Sequence, residues 1–112
     1  MLPDFLGQPV RLVDYVAQCE GDPDHGAWMV YRGNDYTLET LLYPVTLDTS
    51  AMEPEEYMEA EDRVLGHGFA NCLQSAQISD VLSHLKRKQP NYTPQDLVRA
   101  LNYYAEHDDF AP

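Results

Sequence analysis

The side chains able to do chemistry in this chain fall into three kinds, and carboxylates dominate. Asp48, Glu53, Glu55, Glu56, Glu59, Glu61 and Asp62 place seven of its nineteen acidic residues within positions 48–62, with no base before Arg63. General acid–base work needs carboxylates held at a defined separation in a partly desolvated cleft. The run supplies abundance without a sign of that placement, and it reads as solvated. The imidazoles are scattered: His67 stands between two glycines, His107 precedes Asp108 and Asp109, and His25 sits near Asp22 and Asp24. None has a second imidazole at i+2 or i+4, the spacing by which a turn or helix converges ligands on one ion. Cys19 and Cys72 lie far apart, outside any C-x-x-C spacing, and the charge of Glu20 opposes a thiolate at Cys19. These patterns predict no catalytic residues, no metal site and no cofactor, with both cysteines as small buried thiols.

Binding is the chemistry that remains. Nineteen acids against seven bases give a formal net charge of −12, and a field of that sign attracts cations and repels polyanions over roughly 8 Å at physiological salt. Nucleic acid and anionic lipid are therefore disfavoured as partners, and a basic protein is favoured. Glu53, Glu55, Glu56, Tyr57, Glu59 and Asp62 are the predicted partner-binding residues. Helical spacing sets Glu55, Glu59 and Asp62 on one side, with Met52, Tyr57 and Met58 as apolar anchors nearby. The same acids equally suit a solvated helix face matched to its dipole. Lys86-Arg87-Lys88, the single cluster of positive charge, reads as the dipole-matched end of a helix rather than a nucleic-acid contact.

The elements that must position these residues fit one domain spanning 1–112. Hydrophobic residues at 44% are enough to build a core despite the charge. The first residues lack the basic n-region of a signal peptide, and no 18-residue apolar run crosses the sequence, so a cytoplasmic protein is expected. Self-repulsion favours a monomer when free.

Along the chain, Pro9 opens a first helix whose apolar positions are Val10, Leu12, Val13, Val16 and Ala17, ending at Gly21. Turn formers at 21–26 lead into a strand at 27–31. Arg32-Gly33-Asn34-Asp35 then turns the chain into a second hairpin arm at 36–42, and Pro44, which cannot donate to a ladder, marks an edge or a bend beyond it. Pro54 starts an acidic helix running to Leu65, stopped by Gly66-His67-Gly68. Residues 69–73 form a third strand, with Phe69, Asn71 and Leu73 on one face and Ala70 and Cys72 on the other. Ile78, Val81, Leu82 and Leu85 form the buried stripe of the next helix, closed by Pro90. Thr93, Pro94 and Asp96 resemble a capping box opening a last helix with Leu97, Val98, Leu101 and Tyr104 inward, after which Phe110 folds back as an anchor. The fold class is α+β: a short antiparallel sheet, hairpin plus a third strand, packed with three to four helices.

Residues 89–93 (Gln-Pro-Asn-Tyr-Thr), Asp96-Leu97, Ala100-Leu101-Asn102-Tyr103-Tyr104 and Asp108-Asp109-Phe110, with Trp28, Val30 and Tyr31 upstream, carry a resemblance. Together they look like a group of small acidic bacterial proteins of undefined activity, some similar to immunity proteins of contact-dependent toxin systems. The motifs of the resemblance, a cap, a buried stripe and a tail anchor, bear on fold more than on function; the acidic surface, suited to the Lys- and Arg-lined cleft of a nuclease, carries the expectation of an immunity-type protein that neutralises a basic toxin domain, of the nuclease kind, by protein–protein contact. A regulator or adaptor of a cellular nucleic-acid-binding protein shares the acidic surface and is the alternative; a small metal-dependent enzyme built on His67 or His107 is the third.

Overall fold

The computed structural model describes residues 4–22, 28–33 and 35–110. In chain order these form β1 (Val10–Arg11), α1 (Leu12–Gly21), β2 (Met29–Arg32), β3 (Leu41–Pro44), α2 (Pro54–Leu65), β4 (Phe69–Asn71), α3 (Ser75–Lys88) and α4 (Pro94–His107). The strands make one antiparallel sheet in the order β1-β3-β2-β4. Four helices and this sheet are the expected α+β class.

Alternation along the strands divides the sheet into two faces. Met29, Tyr31, Leu42 and Cys72 point into the main core with Leu12, Ile78, Val81, Leu85 and Leu101 from α1, α3 and α4. Val30 and Phe69 point the other way, where Val64 of α2 and Phe5 complete a smaller cluster. The sheet therefore lies between a three-helix layer and α2. Ala70 and Cys72 face the main core and Phe69 the smaller one, as their alternation predicts, but Leu73 packs against the main core. The strand ends at Asn71, so the two-residue period no longer governs its side chain.

Three local departures have physical reasons. Val10 and Arg11 open no helix; they pair with Leu42 and Leu41 as β1, and Leu12 N–H reaches Thr40 O at 3.0 Å. A helix beginning at Leu12 buries Leu12, Tyr15, Val16 and Cys19 and leaves Ala17 outside. The second hairpin arm begins at Leu41 rather than Tyr36, because Tyr36 leaves the strand path to stack on Tyr31 inside the core, ring centroids 4.7 Å apart. The turn position Asn34 lies outside the described residues, beside Gly33, whose φ of 98° needs a residue without Cβ. Pro44 ends an interior strand, not an edge. Its pairing with Met29 falls between ladder bonds, since Val45 N–H donates to Trp28 O at 2.9 Å, so the missing N–H faces the N-terminal segment instead. There the Pro44 carbonyl still accepts from Gly7 N–H at 2.8 Å.

The helices begin where their caps are written. In α4, Thr93 Oγ1 accepts from Asp96 N–H at 3.2 Å and Asp96 Oδ2 accepts from Thr93 N–H at 3.0 Å. These bonds hold the Asp96 carboxyl below its usual range, so the stabilisation it gives is present above the unfolded carboxylate pKa and is lost as pH falls through the lowered one. Gln74 and Gln77 close a second capping box at the start of α3. Thr93→Ala is expected to lower unfolding free energy by about 1 kcal/mol, read as an earlier urea midpoint with unchanged slope; no shift in midpoint would show that the cap contributes nothing. At the other end of α3, the ammonium of Lys86 pairs with Glu20 of α1.

Candidate partner-binding site

The acidic run resolves into a helix with the boundaries its sequence predicts. Pro54 supplies φ without needing a donor, Glu55 and Glu56 sit in the positive first turn, and Gly68, at φ 88°, lets the chain turn back into β4. Val64 is the buried residue of α2 among those described, and Glu55, Glu56, Glu59 and Asp62 are exposed while Glu61 is half-buried. Glu53 is the N-cap but makes no side-chain capping bond.

Glu56 and Glu59, together with Leu47, Met52, Ala60 and Arg63, line an open hollow of about 320 Å³ beside the helix. Its lining thus mixes three apolar side chains, two carboxylates and one guanidinium. The Arg63 guanidinium at one end lies over the Phe5 ring, 5.3 Å from the centroid. Glu53, Glu55 and Asp62 are exposed but do not line the hollow. At 100° per residue, Glu55, Asp62 and Glu59 continue the acid band around the helix from the hollow. Beside that band, Met58 is 65% exposed. Glu55, Glu56, Glu59 and Asp62 thus lie on adjoining sides of α2, and Glu56 and Glu59 share a concavity.

Tyr57 turns the other way. Its ring packs on Trp28 with centroids 5.3 Å apart, while 37% of the residue stays accessible. Trp28 Nε1–H donates to Asn71 Oδ1 at 2.8 Å, and Asn71 Nδ2 reaches Glu61 at 3.4 Å. This chain of contacts makes a rigid aromatic ledge next to the acids, the combination of large area and polar tip that interfaces favour. Trp28 and Asn71 are absent from the predicted site. The only sequence signal for the ledge is the single tryptophan at the mouth of a strand, because its partners lie 29 and 43 positions away.

The other candidate groups are held in packing. The exposed His67 meets Phe5 edge-on at 5.4 Å, and His107 lies 4.2 Å from the Tyr103 ring. His25 falls outside the described residues. No group of three His, Cys, Asp or Glu side chains that could hold a metal ion occurs among the described residues.

Both cysteines are buried and unbridged. Burial raises the Cys19 thiol, against the lowering effect of the Tyr15 hydroxyl, and Asp22, not the neighbouring Glu20, is the acid that adds to the rise. Burial likewise pushes Cys72 up to about 11. Its Sγ lies 3.6 Å from the Tyr36 hydroxyl, which also accepts Leu73 N–H at 3.0 Å. Thiols so placed are poor nucleophiles. A thiol-specific disulfide reagent at pH 8 is expected to label both roughly 100-fold more slowly in the folded chain than in the denatured one. Equal rates would show that the core opens freely.

Among the described residues, no helix is long and apolar enough to cross a membrane. No curated protein and no solved structure shows significant similarity to the chain. A family model described as a domain of unknown function, DUF7716, matches residues 17–112, which takes in the second half of α1 and every later element to the C-terminal tail, and the chain belongs to that family.

Proposed function

We propose that this protein is a small immunity-type inhibitor, monomeric when free, that neutralises a basic toxin domain, of the nuclease kind, by direct contact through α2. The observation that carries the reading is that Glu56 and Glu59 line one open hollow together with the apolar side chains of Leu47, Met52 and Ala60. A lysine or arginine side chain of a partner suits that lining, with an aliphatic stem for the apolar residues and a cationic head for the two carboxylates, while the hollow's own Arg63 lies over the Phe5 ring. Nuclease clefts carry such residues to hold phosphates, and a surface that presents carboxylates in their place competes with nucleic acid for them. Glu53, Glu55 and Asp62 extend the acidic field that steers the encounter, while Tyr57, braced by Trp28, and the exposed Met58 supply apolar contact. The net charge of −12 supports the same reading, as does the resemblance of the C-terminal third to small acidic bacterial proteins of undefined activity, some of them similar to immunity proteins.

Affinity capture from the source cells with the tagged chain, washed at low and then high salt and identified by mass spectrometry, tests it. Recovery of one basic toxin fragment whose nuclease activity the protein blocks is the expected result. Recovery of a housekeeping nucleic-acid-binding protein instead would transfer the acidic surface to an adaptor role and overturn the inhibitor reading.

A further inference from the structure

The aromatic ledge beside α2 carries a charge arrangement of its own. Trp28 is half-buried against the smaller cluster, and Tyr57 lies on it as the outer, more accessible ring, with the two planes 33° apart. Asn71 of β4 ties these rings to a carboxylate, because the amide that accepts from the Trp28 indole at 2.8 Å also donates to Glu61 at 3.4 Å. Glu61 follows Tyr57 by four residues on α2, and Glu53 precedes it by four, its carbonyl accepting Tyr57 N–H at 3.0 Å. Side chains at that spacing are neighbours on a helix surface. An accessible ring therefore stands between two carboxylates along one side of α2.

Neither carboxylate is neutralised from within the chain. Among the described residues Glu53 and Glu61 form no ion pair, and Glu53 makes no side-chain capping bond. The bases carried by α2 and β2, Arg63 and Arg32, lie over the rings of Phe5 and Phe69 instead, at 5.3 and 4.5 Å. A ring face is electron-rich, and carboxylates at its edges add to its attraction for a cation. The side chains of a basic partner do not fit equally. An apolar one would use the ring alone, and lysine, a compact and strongly hydrated charge, would use the carboxylates alone. The planar, weakly hydrated guanidinium stacks on the first and donates in plane to the second.

We propose that this ledge is an arginine-binding subsite, in which a guanidinium of the basic partner lies on Tyr57, backed by Trp28, and donates to Glu61, with Glu53 adding charge from the other side. The inference rests on the reading that α2 faces a basic protein, and it adds Glu61 to the contact residues. Asn71 is a positioning residue, holding Trp28 and Glu61 together through one amide. Glu55 and Asp62, roughly 160° and 140° around the helix from Tyr57, lie outside the subsite.

An end-capped peptide of two arginines separated by glycines, titrated at low salt into the isotope-labelled full chain and followed by NMR, is the test. The chain has one tryptophan, so its indole N–H gives a single cross-peak that reports on the ledge. Saturable shifts of that peak and of the amides of 53–61 and 71 are expected, with the lysine counterpart binding roughly threefold to tenfold more weakly. Tyr57→Leu should erase the difference between the two peptides. Glu61→Gln should weaken the arginine peptide roughly threefold, and Glu55→Gln should change it little. The lysine peptide binding as tightly as the arginine one, a leucine counterpart shifting the indole equally, or an arginine preference that survives Tyr57→Leu would each overturn the proposal. Since the peptides stand in for the partner, a failed affinity capture leaves this result untouched, and a missing arginine preference removes the subsite without touching the hollow of Glu56 and Glu59.

Discussion

Replacing Glu55, Glu59 and Asp62 together by lysine is expected to slow association with the basic partner by roughly 10- to 100-fold at low salt and, because Glu59 also lines the hollow, to raise the dissociation rate as well. The three residues share one side of α2 and are exposed; on the proposed reading Glu55 and Asp62 act through the field that guides the encounter, and Glu59 adds a contact in the hollow. Each substitution changes the formal charge by two, moving the chain from −12 to about −6 while removing the acid band next to the hollow. Because exposed charges are screened beyond roughly 8 Å at physiological ionic strength, the difference between wild type and variant should shrink as salt rises. Glu56→Gln, in the lining of the hollow, should behave differently, raising mainly the dissociation rate by removing a short-range contact. Stopped-flow association across a salt series separates the two. An association rate that does not change in the triple variant would remove α2 from the interface. The fold should survive these changes, since the inward side of α2 is carried by Val64 in the cluster with Phe5, Val30 and Phe69.

The second large effect concerns stability and lies far from that surface. Asn102 of α4 holds the backbone of Tyr36 on both sides: Tyr36 N–H donates to its Oδ1 at 2.6 Å, and its Nδ2 donates to Tyr36 O at 2.9 Å. A side-chain amide here does the work of a neighbouring strand at the point where the chain leaves β2 before entering β3. Asn102→Ala leaves a donor and an acceptor without these partners in a partly buried setting, at a cost of about 2–3 kcal/mol. For a chain of this size, that lowers the thermal midpoint by roughly 8–15 °C. Asn102→Asp is expected to be no better, because it keeps the acceptor for Tyr36 N–H but turns a second oxygen toward the Tyr36 carbonyl. Calorimetry of the two variants decides; a midpoint within 2 °C of wild type for either would show that water or local rearrangement replaces the clamp.

These cases also mark what the sequence discloses. The acidic helix was legible to its end residues because Pro54, the acids behind it and Gly66 and Gly68 are local signals, each acting within a turn. The stripe of α3 and the capping box of α4 were legible for the same reason. Phe110 as a tail anchor was also legible, though its stacking partner His84 was not. The strand β1 was not, since two residues carry no periodicity and its formation depends on Leu41 and Leu42, some thirty positions on. Asn102 reads as an ordinary helix residue until Tyr36, 66 positions earlier, is brought beside it. The site divides along the same line. Its carboxylates are a local composition, but the hollow depends on Leu47 and Met52 meeting α2, and the ledge depends on Trp28 reaching Tyr57 and Asn71 across the sheet.

The central claim, that α2 neutralises a basic toxin domain, is tested most directly by titrating the captured fragment's nuclease activity with the purified protein at fixed salt. Activity should fall linearly to zero at one equivalent of wild-type chain, and the triple lysine variant should need a large excess to do the same. Full nuclease activity in the presence of excess wild-type protein, or equal inhibition by the triple variant, would contradict it.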